Sequence, residues 1–276
     1  MNAAEDFFAE PEGARSVAVA GRRDGRPFAA EETVAVELPI ALEFNGVSHA
    51  VMLATPRDLH DFGLGFSLSE GIFDSAADLL DVEAAQTDIG ITLGMRISAG
   101  CFARLKEYRR TLAGRTGCGL CGTESLDQAL RPVAPVNHAF SADADAIGRG
   151  LAGMRSLQAL HQATGAVHAA AWCGADGGVL MLREDVGRHN ALDKLVGALA
   201  RAGMRTDRGF ALVTSRASFE MVQKAAQAGM AVLAAISAPT TLAIDTAKAA
   251  NVALVGFARG DDLSVYSHPE RVRYGS

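Results

Sequence analysis

The chain is short of positive charge: 26 Lys and Arg stand against 32 Asp and Glu, a formal net charge of −6 over 276 residues. Nucleic acid and anionic membrane surfaces both call for a basic face, so neither is an expected partner, and any basic groups that matter must act locally. Long apolar runs are missing too. No stretch reaches the ~18 uninterrupted residues of a membrane span. The first residues, Met1-Asn2-Ala3-Ala4-Glu5-Asp6, carry no basic, apolar export signal, which makes the expected location cytoplasmic. Cysteine is scarce, four in all. In a reducing compartment so few thiols point to catalysis, metal binding or plain burial before disulfide staples.

Two of those cysteines lie three positions apart in Thr116-Gly117-Cys118-Gly119-Leu120-Cys121-Gly122. Three glycines in seven residues lift the Cβ restraint on φ, so this backbone can present both sulfurs and admit another molecule closely. A structural zinc site needs two further ligands in a second cluster, and Cys101 and Cys173 stand alone. A reactive dithiol, half of a zinc site and an inert pair are the three readings of Cys118 and Cys121. Ser125 with Gln128 resembles a capping box, so the thiols should sit just before a helix N-terminus, which favours a thiolate. Upstream, Lys106, Arg109, Arg110 and Arg115 read as a solvated helix face or as a surface that steers an acidic donor protein.

The length suits one large α/β domain or two unequal ones. Residues 1–30, rich in Gly, Arg, Glu and Pro without periodicity, read as an irregular lead-in. Residues 31–132 read as an N-terminal α+β subdomain ending in the cysteine loop: period-two apolar residues at 33–38, a hairpin around Asn45-Gly46, a helix from about 56 to Gly71, and a strand at 89–97. Residues 133–276 read as a C-terminal α/β domain. A helix over 143–163 precedes strands at 167–173 and 178–183; Asn190 then caps a helix, and strands at 210–214, 230–236 and 252–257 alternate with helices. Near-continuous apolar strands between amphipathic helices imply a largely parallel sheet covered on both faces.

In such a sheet ligands bind beyond the carboxyl ends of the strands, beside helix N-termini. Four strand ends run into loops with suitable chemistry: Arg188 and His189 within Glu184-Asp185-Val186-Gly187-Arg188-His189-Asn190, Ser215-Arg216-Ala217-Ser218, Ser237-Ala238-Pro239-Thr240-Thr241, and Arg259-Gly260-Asp261-Asp262. Hydroxyls and arginines at helix starts suit an anion such as phosphate. The carboxylates of Asp261 and Asp262 suit the paired N–H donors of a guanine edge. His168, inside an apolar strand, reads as a core histidine, and His189 as the better functional candidate, for anion binding or proton transfer. Zinc deaminases place His-x-Glu ahead of Cys-x-x-Cys; here Ala170 stands where the glutamate would be, and the Cys pair comes before His168. A thioredoxin-like site fits poorly as well, because its pair opens a helix directly after a strand.

Gly117-Cys118-Gly119-Leu120-Cys121-Gly122, the run Arg183-Glu184-Asp185-Val186-Gly187-Arg188-His189-Asn190-Ala191-Leu192-Asp193-Lys194, Ser237-Ala238-Pro239-Thr240 and Leu64-Gly65-Phe66-Ser67-Leu68-Ser69-Glu70-Gly71 together resemble the FdhD family, the formate dehydrogenase accessory sulfurtransferases. The resemblance covers all but about the first 25 residues. It implies a cytidine deaminase-like three-layer α/β second half without the zinc site, and a homodimer. It implies sulfur taken as persulfide from a cysteine desulfurase and passed to the molybdenum bis(guanine dinucleotide) cofactor needed by formate dehydrogenase, with no protein-bound metal. By the same resemblance Cys118 is the persulfide carrier, with Cys121 beside it. The loosely matched Phe257, Ala258, Arg259, Gly260, Asp261 and Asp262 form the cofactor-binding segment, to which the residue-level reading adds Arg188, His189, Ser215 and Arg216, with GDP as the cofactor's mimic. A zinc-binding or redox dithiol protein and a non-catalytic nucleotide-cofactor chaperone are the alternatives.

Overall fold

The computed structural model describes residues 13–113 and 133–275, without the side chains of 107–113. Strands β1 (Ala14–Arg23) and β2 (Arg26–Ala35) pair antiparallel over their full length. Asp24 and Gly25 both take positive φ in the turn between them, as a two-residue hairpin requires. Residues 14–30 are therefore an ordered ribbon rather than the irregular lead-in expected, and β2 runs straight through the boundary expected at residue 30. The sequence shows no periodicity here because most of the ribbon's side chains stay exposed, so burial imprints no apolar pattern.

β3 (Leu38–Phe44) and β4 (Val47–Ala54) form the expected hairpin about Asn45 and Gly46, both at positive φ. Helix α1 (Leu59–Ser69) follows and stops before Gly71, which takes positive φ. Next come β5 (Leu79–Gln86), which the sequence pattern did not suggest, β6 (Ile91–Ile97) and α2 (Ala99–Ala113). The sheet order is β4-β3-β6-β5. Its inner face presents Ile40, Leu42, Phe44, Leu93 and Met95 to Phe62 and Phe66 of α1, all buried in one cluster.

The second half opens with β7 (Ala142–Asp143), then α3 (Ala144–Leu157) and α4 (Ala159–Thr164), so the single helix expected over 143–163 is broken at Gln158. β8 (His168–Gly174), β9 (Val179–Asp185), α5 (Arg188–Arg201), β10 (Gly209–Val213), α6 (Phe219–Gln227), β11 (Val232–Ala235), α7 (Thr241–Ala249), β12 (Ala253–Arg259), β13 (Asp262–Ser267) and β14 (Val272–Arg273) complete it. Six of these strands form one sheet in the order β13-β12-β11-β10-β8-β9. It is mixed and not largely parallel: β10–β11 and β11–β12 are parallel, while β8–β9, β8–β10 and β12–β13 are antiparallel. Short turns after β8 and β12 force the antiparallel pairings β8–β9 and β12–β13, since a two-strand hairpin cannot be parallel, and β10, which runs the same way as β9, is then antiparallel to β8. One face packs on α5, α6 and α7 through Trp172, Leu195, Val213, Met221 and Leu254. The other packs on α3 through Ile147, Leu151, Phe210, Leu212 and Val255. This is the three-layer α/β arrangement expected of the second half.

The two halves meet where α1 crosses α5, and the crossing is set by glycine. A Cβ on Gly65 would lie 1.7 Å from the Asp193 carbonyl oxygen, and one on Gly197 would lie 1.9 Å from that of Asp61. Backbone meets backbone, with no space for a methyl group. Gly65→Ala or Gly197→Ala is expected to cost about 3 kcal/mol or to prevent folding, read as a fall in the urea midpoint. Gly100→Ala, in α2 with open space around it, is the control and should be neutral or slightly stabilising. Similar midpoints for all three variants would refute the close crossing.

Candidate functional site

Two antiparallel steps, β10 to β8 to β9, restore direction, so β9 runs the same way as β10, β11 and β12. The carboxyl ends of these four strands therefore share one sheet edge, as the sequence led us to expect. The edge is wide. At ~4.8 Å per strand, the ends of β9 and β12 lie on the order of 19 Å apart. Arg188 and His189 thus sit at one end, the 257–262 segment at the other, and Ser215 and Arg216 between them. The last three loops are laced together: Ala217 N–H donates to the Ala238 carbonyl at 3.3 Å, Thr240 N–H to Ala217 at 3.1 Å, and Phe257 N–H to Ser237 at 3.3 Å.

Helices α5, α6 and α7 all begin at this edge, so their free N–H groups and positive dipole ends face it. Gly187, not Asn190, is the N-cap of α5; the Asn190 amide is engaged elsewhere. Thr240 caps α7 through its hydroxyl, which accepts from Ala243 N–H at 3.3 Å. Ser218 caps α6, and its buried hydroxyl has no hydrogen-bond partner among the described residues. Ser215 is buried, while Arg216, Arg259, Asp261 and Asp262 are exposed. Phe257 is 45% exposed and held at φ 51° beside a bulge in the β12–β13 pairing, with Ala258 buried next to it. A bulky residue at positive φ is strained, and Gly260, also at positive φ, makes the turn that follows.

The charged run 183–194 divides sharply between surface and interior. Asp185 and Lys194 are fully buried and 2.6 Å apart. Asp185 also accepts from Thr55 N–H, Gly187 N–H and the Asn190 amide, and Lys194 donates to the Thr55 carbonyl at 2.9 Å. Burial lowers the Lys194 pKa, with Asp185 opposing. Asp193 accepts from Ser69 at 2.5 Å and from Lys224 at 3.1 Å, and Lys224 lies 2.7 Å from Glu70. Burial pushes Asp193 up against the pull of Lys224; burial would lower Lys224, but Asp193 and Glu70 together hold it above its usual value. Arg183 and Arg201 both reach Asp61, at 2.7 and 2.6 Å. None of these pairs was anticipated from sequence, although Asp193-Lys194 within the apolar face of a helix was a visible signal.

Arg188 and His189 of that run open α5 at the edge, and both are half-buried. His189 Nε2 lies 2.8 Å from Glu220 of α6, a neighbour that sequence reasoning did not single out. His168, at the amino end of β8, shares this edge and is partly buried, without the full enclosure expected of a core histidine.

Cys118 and Cys121, the Ser125 cap and Arg109, Arg110 and Arg115 lie outside the described residues or side chains. The other two cysteines are buried. Cys101 donates to the Ile72 carbonyl at 3.0 Å, and burial raises its pKa; burial pushes Cys173 up to about 12. Neither is a thiolate near neutral pH. Among the described residues no helix is long and apolar enough to cross a membrane.

The fold and strand-end loops define a three-layer α/β protein with helix N-termini gathered at one sheet edge. A crystal structure of a protein from Desulfotalea psychrophila, assigned as a formate dehydrogenase accessory protein, shares this fold, with a TM-score of 0.76 at 22% identity over 94% of this chain and 99% of that one. The FdhD/NarQ family model matches residues 35–273. The sulfur carrier protein FdhD of Variovorax paradoxus (strain S110) is 55% identical over 267 residues, 97% of this chain and 96% of that protein. That of Bordetella petrii is 57% identical over 242 residues, 88% and 87% of the two chains. The chain belongs to the FdhD/NarQ family.

Burial lowers both His168 and His189 from 6.5, helped at each by Arg188, while Glu220 opposes the shift at His189. Their folded values lie below their unfolded ones, so each contributes stability that is present above pH 6.5 and lost as pH falls through the folded value. NMR titration of the imidazole Cε1–H signals should give midpoints below 6.5 for both, and Glu220→Gln should move His189 lower still. A His189 midpoint above 6.5 would show that Glu220, and not burial, dominates.

Proposed function

We propose that this protein is a sulfur carrier for formate dehydrogenase, acting in the cytoplasm as a homodimer and moving persulfide sulfur from a cysteine desulfurase to the molybdenum bis(guanine dinucleotide) cofactor. The observation that carries the reading is its identity above 50% with sulfur carrier proteins FdhD across nearly the whole chain. The burial of Cys101 and Cys173 supports it, because they lack the thiolate character that sulfur transfer needs. Cys118 and Cys121, in their glycine-rich run, are the remaining thiols.

The chemistry balances. The Cys118 thiolate attacks the outer sulfur of the donor's persulfide; the donor's S–S bond breaks, its cysteine leaves as thiolate, and Cys118 carries –S–SH. For release, the Cys121 thiolate attacks the Cys118 sulfur and expels the outer sulfur as hydrosulfide, the form the cofactor takes up. Two electrons for that reduction come from the two cysteines, which become a disulfide, and a dithiol reductant restores them. After incubation with a cysteine desulfurase and cysteine, the intact protein should gain the mass of one sulfur, removable by reductant. Cys118→Ser should abolish the gain, and Cys121→Ser should keep it while slowing delivery. A Cys118→Ser protein that still acquires labile sulfur and still activates a formate dehydrogenase would refute the assignment.

The cofactor's nucleotide halves belong at the strand-end edge, the pyrophosphate on helix N-termini with Arg188, His189, Ser215 and Arg216, and a guanine against the segment from Phe257, Ala258 and Arg259 to Gly260, Asp261 and Asp262. The edge, ~19 Å wide, suits an extended ligand with two nucleotide arms better than a single compact one. GDP at a hundred times its dissociation constant should raise stability by ~2.7 kcal/mol, and ADP by much less. Loss of the carboxylate that pairs with guanine, Asp261 or Asp262, should cost about 1–3 kcal/mol of GDP binding, while Arg216→Ala should weaken both nucleotides alike. Equal thermal protection by GDP and ADP would remove the guanine assignment.

A further inference from the structure

A carboxylate stands among the positive groups at the strand-end edge. Glu220 lies in the first turn of α6, and its Oε2 is 2.8 Å from Nε2 of His189 in the first turn of α5. The two helix starts and Arg188 are electropositive, so this carboxylate offsets part of the charge that would hold a phosphate. Lys224, one turn further along α6, does not absorb it, because that ammonium is shared by Glu70, Asp193 and Ser69. What lies within reach of Glu220 is an imidazole, which is a cation only when protonated. The separation is that of an ion pair, without the in-line hydrogen bond that would fix a proton between the two groups.

His189 feels charges of both signs: Arg188 from its own helix, and Glu220 and Lys224 from α6. Arg188 acts on His168 as well. Strand alternation puts His168 on the face of β8 that carries Ala170 and Trp172, the face that packs on α5. Arg188 Nε and the Ser218 hydroxyl are buried atoms without a hydrogen-bond partner among the described residues. Donor capacity is thus held in reserve beside the pair. With no anion present, burial, Arg188 and Lys224 hold the His189 pKa below its usual value against the pull of Glu220. The ring is then mostly neutral at pH 7.

We propose that the pyrophosphate end of the cofactor is bound together with one proton, which passes from solvent to His189 and turns the His189–Glu220 contact into an ion pair. A negative group against Arg188 cancels the repulsion that the guanidinium exerts on an imidazolium, and the anion itself attracts the new charge. Glu220 then helps the site it otherwise weakens, because it holds the charged ring in place. It is a positioning residue that acts through His189. By linkage, binding weakens as pH rises through the window between the free and the bound His189 midpoints. The inference rests on the cofactor reading above and adds the proton to it.

GDP-mannose is the probe, a nucleoside diphosphate ester whose pyrophosphate carries no group that titrates near neutrality. Calorimetric titration in buffers of differing ionisation enthalpy should show net proton uptake on binding near neutral pH. The association constant should fall as pH rises, by no more than about tenfold per pH unit, the limit that one proton sets. His189→Gln should abolish the uptake. Glu220→Gln should move its pH window lower, and Glu220→Asp should bring it part of the way back. In the unmodified protein the Cε1–H signal of His189 should titrate at higher pH with GDP-mannose bound than without it, a comparison that needs no variant to fold. Binding without proton uptake, uptake that survives His189→Gln, or an unmoved His189 midpoint would overturn the proton-linked capture and leave the cofactor site standing. If GDP-mannose binds at no pH, both fall.

Discussion

The crossing of α1 over α5 is the constraint on which the rest of this structure depends. Two glycines bring the helices to backbone contact, and that closeness encloses the charges around it. Asp185, Asp193 and Lys194 lie where no water reaches them, and each ion costs several kcal/mol to desolvate before its partner returns anything. The arrangement is tolerable because the groups are saturated: Asp185 meets a lysine, an amide and two backbone N–H groups at once. Removing any one partner would strand a buried charge. Side chains up to 140 positions apart in sequence must therefore arrive together, which couples the four-stranded sheet, α1 and the six-stranded sheet into one cooperative arrangement.

The same network positions the surface it never touches. By holding Gly187 N–H and the Asn190 amide, Asp185 fixes the first turn of α5, and with it the helix's first two residues, Arg188 and His189. Lys224, in turn, ties α6 to Ser69 and Asp193, so Glu220 one turn earlier is carried to the His189 ring on a rigid helix. The charged run 183–194 reads as a ligand site, yet most of its charges are scaffolding.

What could be read from the sequence follows from how local each signal is. The hairpin at Asn45-Gly46 and the stop before Gly71 rest on φ preferences of single residues and are present as expected. The shared strand-end edge was legible because β9 to β12 each run into a loop with hydroxyls, arginines or carboxylates. The β8–β9 turn hid the antiparallel pairings without spoiling the edge, since two reversals cancel. Asn190 looked like a helix cap, but Asp185 and the Leu53 carbonyl claim its amide, the second of them 137 positions away. The buried ion pairs were illegible for the same reason: a charged residue in a sequence gives no sign of a partner that only the tertiary fold supplies. The ribbon failed differently, because a segment that buries little within its own chain leaves no apolar period to find.

Phe257 brings these levels together. A phenylalanine at positive φ costs on the order of 1–3 kcal/mol and persists only where its surroundings over-determine it. Here its N–H is fixed to Ser237, Ala258 beside it is buried, and the bulge against β13 absorbs the extra residue. The result is an aromatic ring exposed at the end of a sheet, between the start of α7 and the exposed Arg259. Nothing in the packing of the core requires that ring to be outside; a glycine would take the same backbone without strain. The strain is thus spent on presenting an apolar plane next to positive helix ends, in a chain whose net charge is −6. Any anion binding there, as proposed above, would rest on local dipoles and arginines against the sign of the whole molecule. On the cofactor reading proposed above, a ligand with both negative charge and a flat ring would engage the helix ends and the Phe257 ring together, and either feature alone would engage only one of them.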